Sequence, residues 1–309
     1  MRWARRIFVG LLALVAALAA AGFSYQLISD RRDRARTPAP GALVDVGGYR
    51  LHMTCAGAGS PAVILDAGLG ATSFEWQEIA ASVARFTRVC AYDRAGQGFS
   101  DPGPSPRTSG QIAREVSTLL RATRNAPAIA VGASVGGWHM RVLASRHPEA
   151  VAGLVLVDAS HEDQPLTAPR FARLVPIAGR LGVMRLLGIE IGGDYPATAF
   201  RAHRFAALYS ELTAMAESAA QVKASRRELP IPVVVISAGR GTDSEWRAFQ
   251  HDQTRLSRRS CQIVAENSGH VIQQDQPDAL LRGIRAAWDA ARSGGTPACA
   301  DQSASASAP

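Results

Sequence analysis

The chain has 309 residues, 47% of them hydrophobic, enough for one large domain with a sizeable core. Its formal charge is +8, carried almost wholly by arginine, with Lys223 the only lysine. No zinc spacing, aromatic–basic stripe or recognition helix accompanies that charge, so a nucleic-acid partner is set aside.

Arg2, Arg5 and Arg6 precede an apolar run over 7–28, roughly one bilayer crossing in length. Residues 1–30 therefore read as a signal anchor that holds an exported body at the membrane. The other reading is a signal peptide cut near Ala19, Ala20 and Ala21, which would release a secreted protein. Arg31, Arg32, Arg34 and Arg36 nearly balance the flanking charge, so charge does not decide orientation. The length of the run favours the anchor. Residues 31–41 are charged and then Pro-rich, and read as a linker; 294–309 are small and polar, and read as a disordered tail. The body is expected over 42–293.

Within the body, 42–46 and 49–55 flank Gly47-Gly48 and predict a hairpin. Short apolar runs at 62–65, 87–92, 128–131, 151–157, 232–236 and 261–265 predict strands. Stretches with helical spacing at 76–85, 111–123, 137–146 and 277–291 separate them. Continuous β-branched runs between helices predict a parallel sheet covered on both faces. Residues 160–229 break this rhythm and predict a helical insertion. Its apolar residues include Phe171, Leu174, Val175, Leu181, Leu186, Leu187, Phe200, Phe205 and Leu208. They suit an acyl group, although packing onto the sheet is the simpler reading for most of them.

Gly132-Ala133-Ser134-Val135-Gly136 has the spacing of a nucleophile elbow and lies between a strand and a helix. Such a turn exposes the serine hydroxyl and leaves no room for side chains at its glycines. A serine needs a base. Of seven histidines, His270 sits between the last strand and the last helix, at the carboxyl edge of the sheet where such sites form. The acid that orients it is either Asp158, which ends the strand at 151–157, or Asp243, which follows the strand at 232–236. Asp158 is slightly preferred. The loop 66–70 follows an early strand, and with Val135 its Leu69 amide is a candidate oxyanion donor. Cys55, Cys90, Cys261 and Cys299 form no metal-binding cluster, and an even count in an exported chain permits disulfides.

Together, the loop at 67–70, Asp93-Arg94-Ala95-Gly96-Gln97-Gly98-Phe99-Ser100-Asp101, the elbow, Val157-Asp158-Ala159-Ser160 and Ser268-Gly269-His270 resemble the α/β-hydrolase superfamily over most of 42–293. The resemblance implies an α/β fold: a mostly parallel eight-stranded sheet with a helical lid at about 160–229. It gives the 93–101 loop a structural role only. Two departures stand out, Ala67 where many relatives have His and Ala133 where many have His before the nucleophile. Relatives with Asp at the elbow are epoxide hydrolases or dehalogenases, which Ser134 argues against. In this fold the second and fourth strands are neighbours, which implies a Cys55–Cys90 disulfide. The implied activity is cofactor-free hydrolysis of a small-molecule acyl ester. The alternatives are an amidase or thioesterase of the same fold, or a binding protein without turnover.

Overall fold

The computed structural model describes residues 2–165, 169–190 and 195–299. Eight strands, β1 (Ala42–Asp45), β2 (Arg50–Ala56), β3 (Ala62–Asp66), β4 (Val89–Tyr92), β5 (Ala128–Ala133), β6 (Val151–Val157), β7 (Val233–Ala238) and β8 (Ser260–Ala265), form one sheet. Their order is β1-β2-β4-β3-β5-β6-β7-β8. β2 runs antiparallel to both β1 and β4, and every other pair is parallel.

The central strands are apolar throughout because both faces are covered. Alternate residues point to opposite faces. Ile64, Ala130, Leu154, Leu156, Val233 and Val235 join one core layer, with residues of α3 (Ser109–Ala122), α4 (Val135–Arg146) and α8 (Met215–Ala224). Val63, Leu65, Val131, Val155, Val234 and Ile236 join the other, with α2 (Gln77–Val83) and α11 (Pro277–Ser293). In α3, Ile112, Val116, Leu119 and Leu120 form the buried stripe, and the Thr108 hydroxyl caps the helix by accepting from the Gln111 amide at 3.2 Å. Cys55 and Cys90 are directly opposed on β2 and β4 and are joined by a disulfide.

Two segments differ from the sequence reading. The first helix, α1 (Arg2–Arg36), continues through the charged half of the stretch read as a linker, leaving only 37–41 between it and β1. Alanine and arginine favour helix, and Pro38 is the first residue that cannot extend it. The stretch read as a tail is fixed as far as Cys299, which is disulfide-bonded to Cys261 at the start of β8; residues 300–309 lie outside the described residues.

Between β6 and β7 the chain forms a helical insertion with α5 (Val175–Arg180), α6 (Val183–Leu187), α7 (Ala202–Thr213) and α8. Phe205 and Leu208 are buried, but Phe171, Leu174, Leu186 and Leu187 are exposed. The packing expected for the insertion's apolar residues therefore fails for those four. The remaining helices, α9 (Ser244–Gln253) and α10 (Ile272–Asp275), follow β7 and β8.

Candidate active site

Ser134 sits between β5 and α4 with φ 53° and ψ −124°, a conformation an L-residue adopts only under constraint. The constraint is packing. A Cβ on Gly132 would stand 2.4 Å from the Gly136 carbonyl oxygen, and one on Gly136 would stand 2.7 Å from the Asp66 oxygen. Both contacts are to backbone, so the glycines are sterically required. The Ser134 amide donates to the Val157 carbonyl at 3.1 Å, which places the elbow against the end of β6.

Asp158 ends that strand with φ 39°, the second strained position at this edge. Its carboxylate is fully engaged. Oδ1 accepts from the Ala238 amide at 3.0 Å and from the Trp246 indole at 2.9 Å. Oδ2 accepts from His270 Nδ1 at 2.6 Å. His270 is half-exposed, whereas Asp158 is buried. Of the two acids considered, the structure brings Asp158 to the histidine. Asp243 instead caps α9, its Oδ1 accepting from the Trp246 amide at 2.7 Å. The hydrogen bond that His270 donates to Asp158 raises its pKa above the ordinary value; the negative charges of Asp158 and Glu75 add to this, against the opposing effect of burial.

Two peptide groups have their carbonyls pinned. Arg94 Nη2 donates to the Gly68 carbonyl at 2.7 Å. In a trans peptide the N–H points opposite the C=O, so the Leu69 N–H is aimed away from Arg94. Likewise the Ser134 carbonyl accepts from the amides of Gly137 and Ser160, at 3.1 and 3.0 Å, and this directs the Val135 N–H the other way. Gly68 stands over Ser134, with its Cβ position 3.5 Å from the serine Cβ. The two candidate donors thus belong to loops that meet at the serine.

Three contributing residues carry no signal of a role at the site in the sequence. Arg94 is buried and binds Asp66, the Ala67 and Gly68 carbonyls and Glu211 of α7; its loop matches a family turn with no chemical role. Glu75 accepts from the Gly68 amide at 3.3 Å, and burial pushes its carboxyl up to about 6. Trp246 reaches Asp158 only because α9 follows β7 at this edge. Of the remaining histidines, His52 is bonded to Asp93, His139 to Asp66 and His161 to Asp252. Among the described residues, no group of three or more His, Cys, Asp or Glu side chains is arranged to hold a metal ion.

Asp158, bonded to the His270 imidazole, ends the strand next to the one that leads into the strained Ser134, so these residues share the carboxyl edge of the mostly parallel sheet. Residues 63–282 match the model of the alpha/beta hydrolase family, and the chain belongs to that family. It is 30% identical over 218 residues to a Schizosaccharomyces pombe protein, covering 63% of this chain and 40% of that protein's length. It is 25% identical over 242 residues to YqjL of Bacillus subtilis, covering 76% of this chain and 86% of YqjL. A thermophilic esterase from Thermogutta terrifontis superposes with a TM-score of 0.60 at 18% identity, over 79% of this chain and 94% of the esterase. An epoxide hydrolase, CorEH, superposes with a TM-score of 0.56 at 18% identity, over 78% of this chain and 95% of that one. The shared fold therefore leaves the choice of chemistry to the site residues.

Proposed function

We propose that the protein is a serine hydrolase that cleaves carboxylic esters through an acyl-enzyme. The observation that carries this reading is the 2.6 Å hydrogen bond between Asp158 and His270 Nδ1. It fixes the tautomer in which Nε2 is free to accept a proton. His270 Nε2 takes the Ser134 hydroxyl proton as Oγ bonds to the ester carbonyl carbon. The oxyanion is held by the Leu69 and Val135 amides. Collapse breaks the ester C–O bond, and the proton on His270 passes to the departing alcohol. Water then attacks the acyl carbon as His270 takes its proton; collapse breaks the bond from that carbon to Ser134 Oγ, His270 returns the proton to Oγ, and the acid is released. This sequence needs no cofactor.

The same reading places the catalytic body outside the cytoplasm, held by α1. That helix is long and apolar enough to cross a membrane, with a mean hydropathy of 2.4 over its most apolar stretch and none of that stretch buried. The pairing of all four cysteines supports an oxidising compartment.

A fluorophosphonate probe followed by a panel of p-nitrophenyl esters of increasing chain length tests the proposal. The expected result is labelling that Ser134→Ala abolishes, together with ester turnover. Equal labelling of the folded Ser134→Ala protein, or labelling without turnover of any ester, would overturn it.

A further inference from the structure

Among the described residues outside α1, seven of the eleven large apolar side chains that stand exposed lie between 171 and 189. Phe171, Leu186 and Leu187 are each about two-thirds exposed, at 69%, 67% and 67%. Large apolar side chains left exposed together within one short insertion mark a contact site.

The occupant follows from where α1 leaves the body. Its apolar run begins after Arg6, and about 19 residues at 1.5 Å each span roughly 30 Å, one hydrocarbon thickness. That distance ends near Tyr25, where α1 meets the insertion. Gly22 packs on the Leu181 carbonyl so closely that a methyl group would not fit, and Tyr25 lies against Gly182. One turn further on, Gln26 is buried and donates to the Phe200 carbonyl at 2.7 Å. Arg185 of α6 then binds Asp30 at 3.1 Å and Asp33 at 2.8 Å. The insertion is thus clamped to the last turns of the crossing helix, level with the boundary between acyl chains and headgroups. The exposed Arg31, Arg32 and Arg36 at the end of α1, and Arg173 and Arg180 within the insertion, supply positive charge for lipid phosphates.

We infer that the apolar face at 171–189 seats in the bilayer that α1 crosses, so that the protein contacts lipid through its insertion as well as its anchor. This rests on the proposed crossing by α1, and the test separates the two. All four cysteines are in disulfides, so Leu187→Cys in the full chain offers a single thiol for an environment-sensitive fluorophore. Glu149→Cys, exposed on the opposite edge, is the control. Both proteins are reconstituted into vesicles of phosphatidylcholine and phosphatidylglycerol, with and without doxyl-labelled lipid. Seating at the acyl boundary gives a blue-shifted signal at 187 that doxyl lipid quenches about threefold, with the control unquenched. Co-flotation of the protein with vesicles but water-like, unquenched emission at 187 would overturn the seat while leaving the anchor intact. A blue shift that lipid quenchers do not touch, and that dilution abolishes, would assign the patch to a second copy of the chain. Failure to float would remove the crossing helix and the seat together. Ester hydrolysis in detergent reads the active-site proposal independently of all of these.

Discussion

The pair Asp158→Asn and Asp243→Asn separates the proposed orienting acid from a helix cap. All three groups facing the Asp158 carboxylate donate: the Ala238 amide, the Trp246 indole and His270 Nδ1. An asparagine there has one oxygen and one NH2. With the NH2 toward Ala238 and Trp246, two buried donors lose their acceptor, at about 1–3 kcal/mol each. With the NH2 toward His270, both donors keep their bonds and only the histidine contact changes. The second placement is therefore preferred by roughly 2–6 kcal/mol. It presents an N–H to Nδ1, which forces the proton onto Nε2 and removes the base. Turnover of a p-nitrophenyl ester should fall about a thousandfold or more, with the melting temperature nearly unchanged. Asp243→Asn keeps an equally good N-cap for α9 and should stay within about twofold of the parent. A nearly active Asp158→Asn beside a crippled Asp243→Asn would refute the assignment.

Gly136→Ala forces a methyl group to within 2.7 and 2.8 Å of the Asp66 and Ala67 carbonyl oxygens. It should destabilise the fold by about 1–3 kcal/mol and cut activity by displacing the oxyanion loop; a variant with the parent melting point and turnover would contradict this. The raised His270 pKa places the acid limb of kcat/KM above the ordinary histidine value of about 6.5. Because the Glu75 carboxylate contributes to that rise, Glu75→Gln should move the limb to lower pH, and an unmoved limb would show that its charge does not reach the imidazole. Replacing Cys261 and Cys299 with serine opens a loop of 38 residues, which by chain entropy is worth up to about 4 kcal/mol. The melting temperature should drop, and reductant should then have a smaller effect on the variant than on the parent.

The strands and the elbow were legible because their signals are local. Apolar runs such as 151–157 mark a strand covered on both faces, and Gly-x-Ser-x-Gly states its own steric requirement. The choice between Asp158 and Asp243 was not legible. It depends on a positive φ at the end of β6 and on an indole from α9, and both acids precede His270 at the same sheet edge. The insertion's periodicity identified helices but could not say which apolar faces have a protein partner. Phe205 is buried against Gly179, while Leu186 and Leu187 are exposed, although all three share the helical spacing. The tail likewise looked featureless because Cys299 has meaning only when β8 is beside it.

The most consequential omission concerns the loop at 93–101. Arg94 joins Asp66 and Glu211, which lie 28 and 117 residues away in the chain, and no sequence pattern spans such separations. A buried guanidinium between two carboxylates is costly to assemble and costly to break, and here it also pins the peptide that aims the Leu69 amide. In the proposed mechanism that gives the loop a positioning role, with Arg94 acting through the backbone of Gly68. Helix α7 holds the same loop from a second side, because Arg204 donates to the Gly70 carbonyl at 2.8 Å. Its first residue in turn donates its amide to Asp30 of α1 at 3.2 Å. The geometry of the proposed oxyanion hole and the attachment of the apolar N-terminal helix therefore converge on one twelve-residue helix of the insertion. Through Ala202 and Arg204, α7 is bonded at once to α1 and to the loop that carries Leu69.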